Sequence, residues 1–213
     1  MLALLHTSHV HVEPFGALFR EVAPDIALDQ CVREDLLAEA RESGQADEST
    51  RAAIQTLAAA GARIVLCTCS TIGSAAESAA VEGCAVIRVD RPAVEHAVAS
   101  GRRLLVVAAL QTALAQTSSL LEEVTALQQK RPEIVPLLCS EAWPLFERGD
   151  RERYLRGIAG AIDAVAADDD LVLLAQASMA DARRHVRRQS LEILSTPKLA
   201  VQAAVAAYRA LAR

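Results

Sequence analysis

The chain has 213 residues, a formal net charge of −5 and a pI near 5.6. Its 52% hydrophobic and 3% aromatic content suits an aliphatic, Ala-rich core large enough to fold without disulfide or metal staples. An acidic chain lacks the concentrated basic face of a phosphate-tracking surface, which excludes nucleic acid as an expected partner.

Read in chain order, short Leu- and β-branched runs alternate with longer Ala/Glu/Arg-rich stretches of helical spacing. This is the pattern of βα units around a parallel sheet. Strands are expected at 2–6, 26–31, 62–68, 84–89, 103–109, 133–139, 170–175 and 191–195, and their near-continuous apolarity suits strands covered on both faces. Helices are expected to open at the cap-like Asp47-Glu48-Ser49-Thr50 and at Asp150, and to end near Gly61 and Gly101; Pro197 opens the last helix.

No apolar run approaches the ~20 residues that span a bilayer, so no membrane partner is expected. The opening Met1-Leu2-Ala3-Leu4-Leu5-His6-Thr7 has neither a basic n-region nor a cleavage site, and a cytoplasmic location is expected. The five cysteines are an odd number, and Cys31, Cys67, Cys84 and Cys139 lie in apolar runs, as buried thiols in a reducing compartment would.

The eight strands divide into two sets of four. Leu4-Leu5-His6-Thr7 can be laid on Ala109-Leu110-Gln111-Thr112, and Val65-Leu66-Cys67-Thr68-Cys69-Ser70 on Leu173-Leu174-Ala175-Gln176-Ala177-Ser178. In this register 62 positions separate Thr7 from Cys69 and 65 separate Thr112 from Ala177. A duplicated α/β fold is therefore expected: two similar doubly wound parallel-sheet domains related by pseudo-twofold duplication, with an active-site cleft between them. The first domain is assigned to 1–92 plus 196–213 and the second to 93–195. Ligands of open α/β sheets bind beyond the carboxyl ends of the strands, which is where Thr7, Ser8, Cys69, Ser70, Thr71, Thr112, Gln176, Ala177 and Ser178 fall.

Cys69 closes its strand just before Ser70-Thr71-Ile72-Gly73, where a helix should begin. Helix-start N–H groups lower a thiol pKa and hold anions, so Cys69 is the expected reactive thiol and Cys67, still inside the strand, the packed one. A C-x-C metal pair would need a second ligand pair at zinc spacing, and the sequence has none.

These residues resemble the aspartate/glutamate racemase superfamily. Cys69-Ser70-Thr71 is similar to the Cys-Asn-Thr of its first motif, Thr112 to the threonine of the second domain's first loop, and Leu174-Ala175-Gln176-Ala177-Ser178-Met179 falls where a Gly-Cys-Thr motif is expected. The resemblance implies proton transfer at the carbon α to a carboxylate without a cofactor, one cysteine removing the proton and another supplying one to the opposite face. Here the second cysteine is missing: Gln176 or, in the register above, Ala177 takes its place, and neither side chain titrates near neutrality. A racemase or isomerase with Cys69 as acid/base is the first expectation. A cofactor-free decarboxylase of malonate-type acids is the second, and a non-catalytic carboxylate binder the third.

His6, His9 and His11 stand at the mouth of the first strand and are the candidates to replace the missing thiol, His9 and His11 foremost, although a surface or supporting role is the commoner one for such histidines and a metal role the least expected. Thr7, Ser8, Ser70, Thr71, Thr112, Gln176, Ala177 and Ser178 are the candidate substrate-binding positions, although any one hydroxyl at a helix start more commonly caps it. A small carboxylate or amino acid and a second copy of the chain are the expected partners, with no metal or cofactor. Asp168-Asp169-Asp170 reads as a solvated loop, Arg183, Arg184, Arg187 and Arg188 as a charged stripe on a short helix, Arg91 as a domain-junction ion pair, and Trp143 as a pocket wall or ordinary packing. The absence of Gly-x-Gly-x-x-Gly, Walker and Gly-x-Ser-x-Gly sequences argues against nucleotide enzymes and serine hydrolases.

Overall fold

The computed structural model describes residues 1–79 and 81–211. All eight expected strands are present, in two separate four-stranded sheets, and every pairing within them is parallel. Two compact units result: Met1–Pro92 joined by the segment from Pro197 onward, and Ala93–Thr196.

The first unit contains β1 (Leu2–His6), α1 (Val12–Val22), β2 (Leu28–Val32), α2 (Glu34–Ser43), α3 (Asp47–Ala59), β3 (Ile64–Cys67), α4 (Gly73–Glu77) and β4 (Ala85–Arg88). Its strand order is β2-β1-β3-β4, so the chain winds outward from β1 on one side and from β3 on the other. β1 and β3 are fully buried, as their unbroken apolar runs require, whereas the edge strand β2 is only partly covered. Ala3, Leu5, Val65 and Cys67 pack with Leu36, Ile54, Leu57 and Ala76 of the helices on one face. On the other, the His6 ring lies 5.6 Å from that of Phe15 in α1.

After α5 (Arg91–Ser100), which crosses the boundary, the second unit repeats the plan: β5 (Leu104–Ala108), α6 (Gln111–Gln128), β6 (Ile134–Leu138), α7 (Trp143–Glu147), α8 (Arg151–Val165), β7 (Leu171–Leu174), a 3-10 segment (Ala177–His185) and β8 (Glu192–Ser195). Its order, β6-β5-β7-β8, is the same winding. The last helix, α9 (Thr196–Ala210), returns to the first unit. Lys198 pairs there with Glu21 at 3.5 Å and Arg209 with Asp25 at 3.0 Å, while Ala200, Val201 and Ala204 are fully buried.

Local signals act mostly as read. Asp150 caps α8 by accepting a bond from the Arg153 N–H at 3.3 Å, and Gly61 and Gly101 end helices with φ of +98° and +67°. Asp47 is instead the first residue of α3, whose cap position is Ala46. Two electrostatic expectations change. Asp170 is no solvated loop residue: it is 1% exposed, accepts two bonds from Arg103 Nη1 at 2.6 and 2.7 Å, and takes the Ala167 N–H at 2.8 Å. Arg187 and Arg188 lie beyond the 3-10 segment that holds Arg183 and Arg184; Arg187 pairs with Asp163 at 3.1 Å and Arg184 with Asp181 at 3.2 Å, so acidic neighbours answer the stripe.

The ladders fix how the halves correspond. Leu2 stands opposite Leu28 and Ile64, and Leu104 opposite Ile134 and Leu171. Leu5 faces Cys67 and Val107 faces Leu174; one position further, Thr68 donates to the Leu5 carbonyl at 3.0 Å and Ala175 to that of Val107 at 2.9 Å. Thr7 is therefore the counterpart of Ala109, and Cys69 of Gln176. The register that pairs Thr7 with Thr112 and Cys69 with Ala177 is displaced by three residues at the first strand and by one at the third, because matching hydroxyls in loops do not track the ladder.

Candidate active site

In the first unit β1 and β3 are adjacent central strands, and the chain leaves them toward opposite sides of the sheet. Their carboxyl ends thus form the switch point at which α/β sheets bind ligands. Thr7 and Ser8 follow β1, and Cys69, Ser70 and Thr71 follow β3. Thr7, Ser70 and Thr71 are buried at 5%, 4% and 8% exposure, while Cys69 and Ser8 are half-buried.

The Cys69 thiol receives a hydrogen bond from the Thr7 side chain, and others from the Ile72 and Thr71 N–H groups and the Thr71 side chain. Burial raises its pKa, and those bonds lower it; the net direction is upward. A helix-start thiol is expected to sit low, and this one does not. The donors are present, but α4 is only five residues long and contributes too little dipole to overcome desolvation. Cys69 therefore rests as a thiol. Cys67 is fully buried, its pKa is raised by the same cause, and its S–H points to the Cys69 carbonyl at 3.5 Å. It packs, and it braces the loop.

Beneath this loop lie an ion pair that the sequence does not single out and a histidine whose role differs from the expected one. Arg88, at the end of β4, makes a bidentate pair with Asp90, Nε to Oδ1 at 2.7 Å and Nη2 to Oδ2 at 2.9 Å. Their side chains are 3% and 0% exposed. A Cβ on Gly73 would lie 2.9 Å from Arg88 Nε, so glycine at the start of α4 lets the guanidinium pass under the loop. The available signal was an arginine and an aspartate two apart at a strand end, where period-2 alternation puts them on one side. The histidine is His6, expected as a candidate proton carrier at the strand mouth and found instead inside the sheet. It is fully buried, with Nδ1 2.8 Å from Thr68 Oγ1 and Nε2 3.1 Å from Gln30 Oε1. Desolvation lowers its pKa, and Thr68 Oγ1, its partner at Nδ1, also donates to the Leu5 carbonyl at 3.1 Å. It ties the ends of β1, β2 and β3 together.

His9 is exposed, with Nδ1 3.1 Å from Glu34 Oε1, and His11 is half-buried with its ring edge-on to Phe15 at 6.1 Å. Arg91 forms a bidentate pair with Glu77 at 2.5 and 2.6 Å, within the first unit. Among the described residues no group of three or more His, Cys, Asp or Glu side chains is disposed to hold a metal ion, and no helix is long and apolar enough to cross a membrane.

The second unit repeats the switch point between β5 and β7. Gln176 follows β7, and its Oε1 accepts from the Ala109 N–H at 2.6 Å and the Leu110 N–H at 3.2 Å. The Ser178 hydroxyl shares a buried 2.7 Å hydrogen bond with Tyr154. Ala177 carries no polar group, and Thr112 lies in the first turn of α6. Trp143 opens α7, with its ring 4.9 Å from that of Phe146, which lies 5.2 Å from Tyr154; the indole is thus part of an aromatic stack.

Two four-stranded parallel sheets wound alike are also the plan of solved structures that the chain resembles over nearly its whole length. Glutamate racemase RacE1 from Bacillus anthracis superposes with a TM-score of 0.72 at 11% identity, covering 99% of this chain and 82% of that one. The fold is that of the aspartate/glutamate racemases. Aspartate racemase from Picrophilus torridus gives a TM-score of 0.71 at 11% identity, covering 97% and 93% of the two chains. The chain is also similar to arylmalonate decarboxylase, with a TM-score of 0.52 at 15% identity and coverage of 96% and 90%. No family model matches the sequence. No curated protein matches it in sequence either.

Proposed function

We propose that the chain is an enzyme of the aspartate/glutamate racemase superfamily, acting without a cofactor at the carbon α to the carboxylate of a small amino acid or dicarboxylate, with Cys69 as its acid/base. The observation that carries this reading is the setting of Cys69 at the switch point of its sheet, bonded by the Thr7 side chain and the Thr71 and Ile72 N–H groups. Ser8 and Ser70 offer the hydroxyl donors to the carboxylate, while Thr7 and Thr71 hold the sulfur beside it. In the step itself the Cys69 S–H gives its proton to the planar carbon of an enediolate and is left as thiolate; the reverse step takes the proton back.

Incubation with glutamate, aspartate and malonate-type acids in deuterated water tests the reading. Deuterium at Cα, detected by mass spectrometry and lost in Cys69→Ala, is the expected result. No exchange with any of these acids, or exchange that survives Cys69→Ala, overturns it. Should both enantiomers exchange, His9 or His11 carries the second proton, and His9→Ala and His11→Ala separate them.

A second reading, cofactor-free decarboxylation of a malonate-type acid, is favoured by the resting state of Cys69. A thiol that is protonated at neutral pH is prepared to protonate the enediolate that loss of carbon dioxide leaves, whereas a racemase must first make the thiolate. Carbon dioxide release from phenylmalonate or methylmalonate distinguishes the two.

A further inference from the structure

The second unit carries, at the ladder position equivalent to Cys69, a side chain that does not titrate, and its surroundings define what it can do. The counterpart relation is specific. In the first unit the residue after β1, Thr7, bonds through its side chain to the residue beyond β3, Cys69. In the second, the residue after β5, Ala109, donates its N–H to the residue beyond β7, Gln176. An amide oxygen thus occupies the acceptor place that a second thiol sulfur would take.

Bonds to two N–H donors settle which end of the carboxamide is oxygen, and they fix its plane. Gln176 is only 8% exposed, so the chain holds this group in one orientation. With Oε1 committed, the amide's remaining capacity is donation from Nε2, which has no hydrogen-bond partner among the described residues. Its neighbours do not compete for a ligand: Ala177 has no polar group, and the Ser178 hydroxyl is engaged with Tyr154. A clamped N–H donor with no acceptor capacity left selects for oxygen anions and against ammonium groups.

We infer that Gln176 is a ligand-reading residue at the switch point of the second sheet, whose fixed Nε2 donates to an oxygen of a small carboxylate. The inference rests on the proposed function for its choice of substrate class.

The test is binding, which does not depend on turnover. Gln176→Glu keeps an oxygen on the Ala109 and Leu110 N–H groups but turns the donor into an acceptor. Calorimetry with malonate and with L- and D-glutamate at pH 8 is expected to show at least a tenfold loss of affinity in Gln176→Glu. The loss should shrink below pH 5, where the new carboxyl regains a proton to donate, and wild type should show no such recovery. A purely structural role would not give that pH dependence. Because the variant could destabilise the loop, the wild-type Gln176 side-chain NH2 resonance, assigned by its absence in Gln176→Met, provides a second measurement: it is expected to shift on titration with malonate. Affinity within twofold of wild type at pH 8, a loss that does not recover at low pH, or an unmoved NH2 resonance overturns the inference. Cys69-dependent deuterium exchange with unchanged Gln176→Glu binding would sink this inference alone; pH-dependent Gln176→Glu binding without any exchange would sink the proposed function alone.

Discussion

Replacing Asp90 by alanine removes the bidentate counter-charge of Arg88 from the core of the first unit. Both side chains are essentially out of solvent, at 3% and 0% exposure, and the bonds are 2.7 and 2.9 Å long. Breaking a buried pair by deleting one partner costs about 3–5 kcal/mol, because the remaining charge stays desolvated. With a urea m-value of about 2 kcal/mol/M for a unit of this size, the unfolding midpoint should fall by about 2 M. The assay is urea denaturation followed by circular dichroism, run on Asp90→Ala, Arg88→Met and the double variant. The double variant should recover at least about 2 kcal/mol relative to the sum of the singles, since it leaves no buried charge behind. A loss below about 1 kcal/mol in Asp90→Ala, or singles that simply add, would refute the argument that this pair is a desolvated unit holding the floor of the Cys69 loop.

Three further outcomes rest on single buried groups. His6 has a folded pKa below its ordinary 6.5, so the unfolded chain binds the proton first: stability should be complete above pH 6.5 and decline as the pH falls below it, and His6→Gln should flatten that decline in thermal melts between pH 7 and 5. The Thr50 hydroxyl in α3 is fully buried without a hydrogen-bond partner among the described residues, so Thr50→Val should raise stability by about 1 kcal/mol in urea titrations; a loss would mean the hydroxyl is bonded in solution. Because burial raises the Cys69 pKa, its alkylation by iodoacetamide, followed by peptide mass spectrometry, should keep accelerating past pH 9, while the fully buried Cys67 stays unmodified; a Cys69 rate that levels off by pH 8 would contradict the direction of the shift.

The strands were legible because a central strand of a parallel sheet is buried on both faces and so writes an unbroken apolar run, as Leu2–His6 and Leu104–Ala108 do. Edge strands are half-covered and write less clearly, which is why β2 lies at Leu28–Val32 rather than 26–31. The positions beyond the strand ends were legible for the same reason: whatever follows an apolar run stands at the carboxyl edge. Correspondence between the halves was not. Thr7 and Thr112 share a residue type, but register is written in backbone hydrogen bonds, and those pair Thr7 with Ala109. The pKa of Cys69 was misjudged because sequence shows that a helix begins but not that it is five residues long or how enclosed the sulfur is. The commitment of the Gln176 oxygen to two N–H groups has no sequence signature at all, since any polar residue there reads the same.

The return of α9 to the first unit sets an order on synthesis. β1 through β4 emerge from the ribosome before the second unit, yet the helix that buries Ala200, Val201 and Ala204 and carries the Lys198–Glu21 and Arg209–Asp25 pairs is made only after it. The second unit, contiguous in sequence, can close as soon as its own strands are out, whereas the unit that bears Cys69 must wait with an uncovered surface until the whole insertion has been translated. Of the two units, the one that holds the thiol is begun earlier and completed later.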